Sequence, residues 1–296
     1  MALIHLKFIA LVFTYMTMDR LQKSGLIYLY LLPLLVAIIG FGIGQVSYLI
    51  YIPLWLINTG ILAAAVWRLI RPGQAGRKYN IRAWAAAGVL LIIPWLLFSI
   101  FAGMGPLPAT MAAWLAYATE QQARYSILIG GGIIALMGFA LLKAKLQEQG
   151  EQTFSMLAFA AMSLAIPLFI INMAFWGYYL TSVFRYLVTL PTGEKPAWYP
   201  PVKALFYVIS VVEVALIYLS ALLLAISLKR AGVLSLRACR WYIVFALTGI
   251  VLAVLPPFLP EPFGTLGYLA AIPAIPFIMP YLIGVRLLVF SRMARD

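Results

Sequence analysis

One acidic side chain lies deep inside an apolar stretch that is long enough to cross a lipid bilayer. The stretch covers residues 204–228, and Glu213 stands near its middle. A carboxyl group in hydrocarbon is costly unless it is protonated, paired or facing water, so this residue predicts a functional site. Ser210 and Ser220 place hydroxyl groups on or near the same helical face. We expect a proton or cation site or a contact to a polar ligand; a structural hydrogen bond between helices is the alternative.

Further polar side chains stand at membrane depth in other apolar stretches, and they are Gln45, Asn58 and Asn172. Asn58 falls near the middle of its stretch, whereas Asn172 comes late in its own and is followed by several aromatic residues. Our hypothesis is that these side chains converge with Glu213 on one polar pocket. Structural hydrogen bonding explains each of them alone equally well.

Three prolines interrupt the last apolar stretch, at Pro273, Pro276 and Pro280. Each proline removes a backbone hydrogen bond and obstructs the preceding helical turn. We therefore expect the final span to be kinked or partly unwound. A gate or a ligand cavity lined by the freed carbonyl groups is the functional interpretation, and a static kink that helps irregular helices to pack is the other.

Glycines at short spacing mark expected helix contacts. Gly40 and Gly44 form a GxxxG pair, and Gly131 is the centre of a run of three glycines. Small residues let membrane helices approach closely. Packing within one bundle explains both sets, and a seam for a second copy or a partner chain is the alternative.

One cysteine and one histidine limit the metal and redox chemistry of the chain. With Cys239 alone there is no internal disulfide and no cysteine-based metal site. With His5 alone there is no zinc site built from histidines, no bis-histidine haem and no Ser-His-Asp triad. We expect no metal site and no cofactor held through His or Cys, while bound structural lipid is compatible with the sequence.

The composition is that of a membrane protein. Hydrophobic residues make up 65% of the chain and charged residues only 10%, against about 25% charged residues in soluble domains. The net charge of +13 comes from basic residues in short loops between apolar stretches. The positive-inside tendency accounts for them, so we expect no nucleic-acid partner. The predicted fold class is an all-α, polytopic integral membrane helix bundle.

Apolar stretches of spanning length predict about eight transmembrane helices, at approximately 25–45, 48–70, 83–105, 126–144, 154–179, 203–228, 241–259 and 266–290. The loops rich in Lys and Arg then all fall on one side, which places both termini in the cytoplasm. A bacterial inner membrane is compatible with this pattern.

Residues 1–24 precede this single bundle of residues 25–296 and include a short apolar segment. An interfacial helix is expected there, and a ninth span that puts the N-terminus outside is the alternative.

Two classes of function are compatible with these features. The first is a non-catalytic integral subunit of a larger membrane assembly, which packs against partner helices and lipid, because ionisable groups and cofactor ligands are scarce. The second is a small proton- or ion-linked carrier or channel with its site around Glu213. A third class is a lipid-handling membrane enzyme with Glu213 as general base, which needs a second catalytic group near the bilayer surface and is disfavoured by the mid-span depth of Glu213.

Overall fold

The computed structural model describes residues 18–42, 46–70, 79–100, 104, 108, 110–189, 197–255, 260–272 and 274–293. Within these ranges the only regular elements are helices. They are α1 (Arg20–Gly42), α2 (Tyr48–Ile70), α3 (Tyr79–Phe98), α4 (Met111–Ala116), α5 (Ala118–Glu148), α6 (Thr153–Ala174), a π-helical turn (Phe175–Tyr179), α7 (Leu180–Leu187), α8 (Tyr199–Arg230), α9 (Leu236–Val254), α10 (Phe263–Ala271) and α11 (Ile278–Met293). The predicted all-α class is thereby confirmed.

Six helical stretches are long and apolar enough to cross a membrane in the part of the chain that the structure describes. They correspond to α1, α2, α5, α6 with α7, α8 and α9, and they make this a membrane-integral protein. The predicted count of eight is not confirmed. The third predicted span is a shorter apolar helix, Arg82–Phe98, and the eighth is divided between α10 and α11.

The last apolar stretch is interrupted, as its prolines lead one to expect. α10 ends at Ala271, residues 274–277 form turns, and α11 begins at Ile278. The turns use short i to i+3 hydrogen bonds, such as Phe277 N–H to the Ala274 carbonyl at 3.2 Å. Pro276 lies in this connection. Pro280 lies in the first turn of α11, where a missing N–H costs little because it has no partner within the helix. Pro273 falls outside the described residues.

Polar residues in the connections define where helices begin. Gln22 N–H donates to Asp19 Oδ1 at 2.7 Å, which caps α1, and Ala238 N–H donates to Ser235 Oγ at 3.2 Å, which caps α9. Gly150 follows α5 with a φ of +83°, a backbone conformation that glycine adopts without strain. These turns let consecutive long helices fold back on one another.

The core of the bundle is formed by α3, α5, α6 and α8. α6 packs along α8, α9 packs on the other side of α8, and α3 packs against both α5 and α11. The approach of α3 to α11 is very close, since a Cβ added to Gly88 would lie 2.8 Å from the Gly284 carbonyl oxygen. α1 and α2 pair with each other and pack mainly on α11. α8 thereby has α6, α9, α10 and α11 as neighbours.

Candidate functional site

Glu213 lies in the middle of α8 and is completely buried. No Lys or Arg among the described residues forms an ion pair with it. Burial of a carboxyl group without a countercharge costs several kcal/mol if the group is ionised. Its hydrogen bonds therefore decide which chemistry is open to it.

A chain of hydrogen bonds links Glu213 to two residues at the end of α6. Asn172 Nδ2 donates to Glu213 Oε1 at 2.9 Å, and Trp176 Nε1 donates to Asn172 Oδ1 at 2.9 Å. Asn172 is itself buried, at 1% exposure. We call this arrangement the Trp176–Asn172–Glu213 chain. Both the nitrogen and the oxygen of the Asn172 amide are hydrogen-bonded in it. Glu213 Oε2, in contrast, has no hydrogen-bond partner among the described residues.

The π-helical turn that follows α6 contains Trp176, the first residue of the Trp176–Asn172–Glu213 chain. Leu180 N–H donates to the Phe175 carbonyl, so the helix widens by one residue in the turn that begins three residues after Asn172. π-turns occur frequently at functional sites. Phe175 stacks on Phe206 of α8 with ring centroids 3.7 Å apart and planes 9° from parallel. This contact locks the turn onto the helix that carries Glu213.

The interrupted final stretch packs against the same two helices. Phe277, immediately before α11, contacts Phe169, whose ring centroid lies 5.8 Å away and which precedes Asn172 by one helical turn. At the other end of the interruption, the Tyr218 hydroxyl of α8 donates to the Ala270 carbonyl at 3.2 Å. The break between α10 and α11 is therefore held on both sides by elements of the site.

The remaining polar residues that the sequence singled out do not join this site. Asn58 on α2 accepts a hydrogen bond from the Tyr28 hydroxyl of α1, so its partner belongs to another part of the bundle. Gln45 lies outside the described residues. Of the four polar residues expected to converge, the structure brings together Asn172 and Glu213.

Of the glycines expected at helix contacts, Gly131 lies against another helix. A Cβ added to it would come within 2.4 Å of the Phe98 ring of α3, so α5 and α3 approach closely there. Gly40 lies near the end of α1 and is half-buried. Gly44 lies outside the described residues.

Two residues that hold this part of the bundle together, Trp176 and Glu151, were not predicted from the sequence. Trp176 stands four residues after Asn172, a spacing at which helical side chains meet, and that spacing was the available signal for their contact. Glu151 precedes α6, where its carboxylate accepts from Phe154 N–H at 2.9 Å and from Ser155 N–H at 3.1 Å, and it also accepts from the Ser227 hydroxyl of α8. It thus ties the far ends of α6 and α8 together.

The site offers one carboxyl group, one amide and one indole N–H. The ranges that the structure describes hold no cluster of three or more His, Cys, Asp or Glu residues suited to a metal ion. What the geometry can do is accept, hold and release a single positive charge or a polar group at Glu213. No protein-family model, curated protein or solved structure matches the chain.

Proposed function

We propose that this protein is a small proton- or ion-linked carrier whose intramembrane site is Glu213. The observation that carries the proposal is a fully buried carboxyl group with one oxygen bound by Asn172 and the other without a partner among the described residues. An unsatisfied buried polar atom costs about 1–3 kcal/mol. A purely structural hydrogen bond between helices uses only the oxygen that Asn172 binds. A site that loads and unloads a charge also needs a free oxygen, such as Glu213 Oε2, to receive that charge.

The interruption between α10 and α11 supports the same proposal. Carriers commonly place discontinuous helices beside a midplane site, because the ends of the half-helices and the unwound backbone can contact the substrate or the ion. Here the interruption contacts Phe169 on α6 and Tyr218 on α8, the helices that carry Asn172 and Glu213. A shift of α10 relative to α11 would therefore change the surroundings of Glu213.

The test is transport in liposomes that contain the purified protein and a pH-sensitive dye. A pH gradient or a Na⁺ or K⁺ gradient is imposed in the presence of a panel of amino acids, sugars, nucleosides and organic cations. The wild type is expected to dissipate one of these gradients faster than protein-free vesicles when its solute is present. Glu213→Gln is expected to behave like protein-free vesicles, because glutamine keeps an acceptor for Asn172 but cannot carry the charge.

Glu261→Gln is the matched control, since Glu261 is exposed just before α10 and the chemical change is the same. It should transport like the wild type. Equal transport by wild type and Glu213→Gln would contradict the proposal.

A second candidate function, a non-catalytic subunit of a larger membrane assembly, is favoured by the surface of α1 and α2. These helices leave large apolar side chains uncovered, with Leu49 at 87% and Ile38 at 59% exposure. Partner helices or bound lipid would cover them. Extraction in a mild detergent, followed by mass measurement of the native particle, separates the two candidates. A stable monomer that transports favours the carrier, and a defined complex with a second chain favours the subunit.

The same proposal includes orientation and compartment. We infer that both termini and the basic loops face the cytoplasm of a bacterial inner membrane, because these loops lie on one side of the predicted spans. Residues 71–82 and 229–240 should then be labelled from the same side. Labelling from opposite sides would contradict this topology.

A further inference from the structure

We propose that the ion handled at Glu213 is a proton and not a metal cation, and that Trp176 is the positioning residue that makes this choice. The inference rests on the proposed function and makes it more specific. Its basis is the direction of the hydrogen bonds in the Trp176–Asn172–Glu213 chain.

The indole fixes which end of the Asn172 amide faces Glu213. Oxygen and nitrogen of a side-chain amide are assigned from their hydrogen-bond partners. An indole N–H can only donate, so the atom 2.9 Å from Trp176 Nε1 must be the amide oxygen. The amide nitrogen therefore points at Glu213 Oε1, also at 2.9 Å. The orientation follows from chemistry and leaves no second assignment.

This orientation disfavours a metal cation. Na⁺, K⁺, Mg²⁺ and Ca²⁺ are bound by several oxygen ligands, among which amide carbonyls are common. Here the Asn172 oxygen is occupied by Trp176, and an N–H group with a partial positive charge faces the carboxylate. A cation at Glu213 would meet one carboxyl group and a donor that opposes it.

A proton suits the same arrangement in both of its states. When Glu213 is ionised, Oε1 accepts from Asn172. When Glu213 is protonated on Oε2, Oε1 is a carbonyl oxygen and still accepts from Asn172. Only Oε2 changes, and it is the oxygen that has no partner in the described structure. The proton can therefore bind and leave without breaking any hydrogen bond of the Trp176–Asn172–Glu213 chain.

Other titratable groups on the neighbouring elements do not supply a countercharge. α6 contains none. In α9 they lie in its first two turns, beside the end of α8 and roughly 20 Å along the axis from Glu213. The Tyr218 hydroxyl donates to the Ala270 carbonyl, and the Tyr281 hydroxyl donates to the Leu29 carbonyl. The Arg286 guanidinium donates to the Val233 carbonyl. Tyr268 of α10 is 68% exposed. Arg292 lies at the far end of α11.

The experiment is infrared spectroscopy of the full-length protein in lipid, which follows the protonated carboxyl band as pH is varied. The band that disappears in Glu213→Gln is assigned to Glu213. Its titration is then recorded in choline chloride and, at equal ionic strength, in NaCl, KCl and CaCl₂. A cation that competes for the site at about ten times its dissociation constant would move the midpoint by about one pH unit. We expect no such movement in the wild type.

Trp176→Phe tests the positioning role, because it frees the amide to turn its oxygen toward Glu213. We expect at least one metal cation to move the midpoint in this variant. Trp241→Phe is the matched control, since Trp241 is 70% exposed on α9, and it should behave like the wild type.

The possible results are distinguishable. A wild-type midpoint that depends on a metal cation overturns the proton assignment but leaves a carrier site at Glu213. A cation-independent midpoint in both the wild type and Trp176→Phe overturns the positioning role of Trp176. A Glu213 band that does not titrate while the protein stays folded overturns the proposed function itself.

Discussion

Replacement of Asn172 by leucine tests the central hydrogen bonds directly. Leucine has a similar branched shape but removes the donor to Glu213 and the acceptor for Trp176. Hydrogen bonds between membrane helices contribute about 0.6–1.7 kcal/mol each. A buried group left without its partner adds a penalty of about 1–3 kcal/mol. We therefore expect Asn172→Leu to lower the free energy of unfolding by about 2–4 kcal/mol.

A double-mutant cycle makes this expectation specific to the pair. Glu213→Leu alone leaves the Asn172 amide nitrogen unpaired, whereas Asn172→Leu with Glu213→Leu removes both members. Replacing both partners by apolar groups is often nearly neutral. The double variant should therefore be more stable than the sum of the single effects by about 1–3 kcal/mol.

The assay is equilibrium unfolding in mixed micelles with increasing SDS, followed by circular dichroism. Asn58→Leu is the control, because Asn58 is half-buried and bonded to Tyr28 away from this site. It should cost only about 1 kcal/mol. Additive single effects, or an Asn172→Leu variant as stable as the wild type, would refute the argument that these bonds organise the middle of the bundle.

Two further predictions concern the packing that holds α8 in place. Glu151→Ala should lower the free energy of unfolding by about 2–3 kcal/mol, because it removes the cap of α6 and leaves the Ser227 hydroxyl buried without that partner. Thermal denaturation in detergent measures this loss, and an unchanged midpoint would contradict the prediction. Gly249→Ala should cost about 1–3 kcal/mol, since the new Cβ would lie 2.4 Å from the Tyr218 ring. Gly60→Ala is its control, because it meets nothing within 4 Å and should be neutral or stabilising; equal effects of the two would refute the clash.

Much of the fold could be predicted from composition and hydrophobic length. The stretches for α1, α2, α5, α8 and α9 are recognisable because a bilayer requires about 20 apolar residues. The interruption of the last stretch could be predicted as well, since three prolines fall within eight residues, at 273, 276 and 280, and each lacks a backbone N–H. The number of spans could not, because hydropathy alone does not fix where a helix begins and ends, as the shorter helix Arg82–Phe98 in the third predicted span shows.

The site could be predicted only in part. Glu213 and Asn172 stood out because polar groups are rare at membrane depth. Their pairing could not be deduced, since they lie on different helices and sequence spacing carries no information about contacts between helices. Asn58 looked equivalent to Asn172 in sequence, yet packing gives it Tyr28 as its partner. The π-turn after Asn172 depends on contacts such as Phe175 with Phe206, which also arise only in the folded bundle.

A proton site at Glu213 is tested most directly by measuring whether water reaches this residue. Cys239→Ser removes the single native thiol, and Ser210→Cys then places one on the face of α8 one turn before Glu213. A membrane-impermeant methanethiosulfonate reagent reacts only with a thiolate, which requires water. Val208→Cys, at a position 56% exposed on the outside of the bundle, is the lipid-facing control.

We expect Ser210→Cys to react in the native membrane protein and Val208→Cys not to react, while both react after denaturation. A Ser210→Cys thiol that stays unreactive from both sides of the membrane would contradict a proton site at Glu213, because a site that no water reaches cannot exchange its proton.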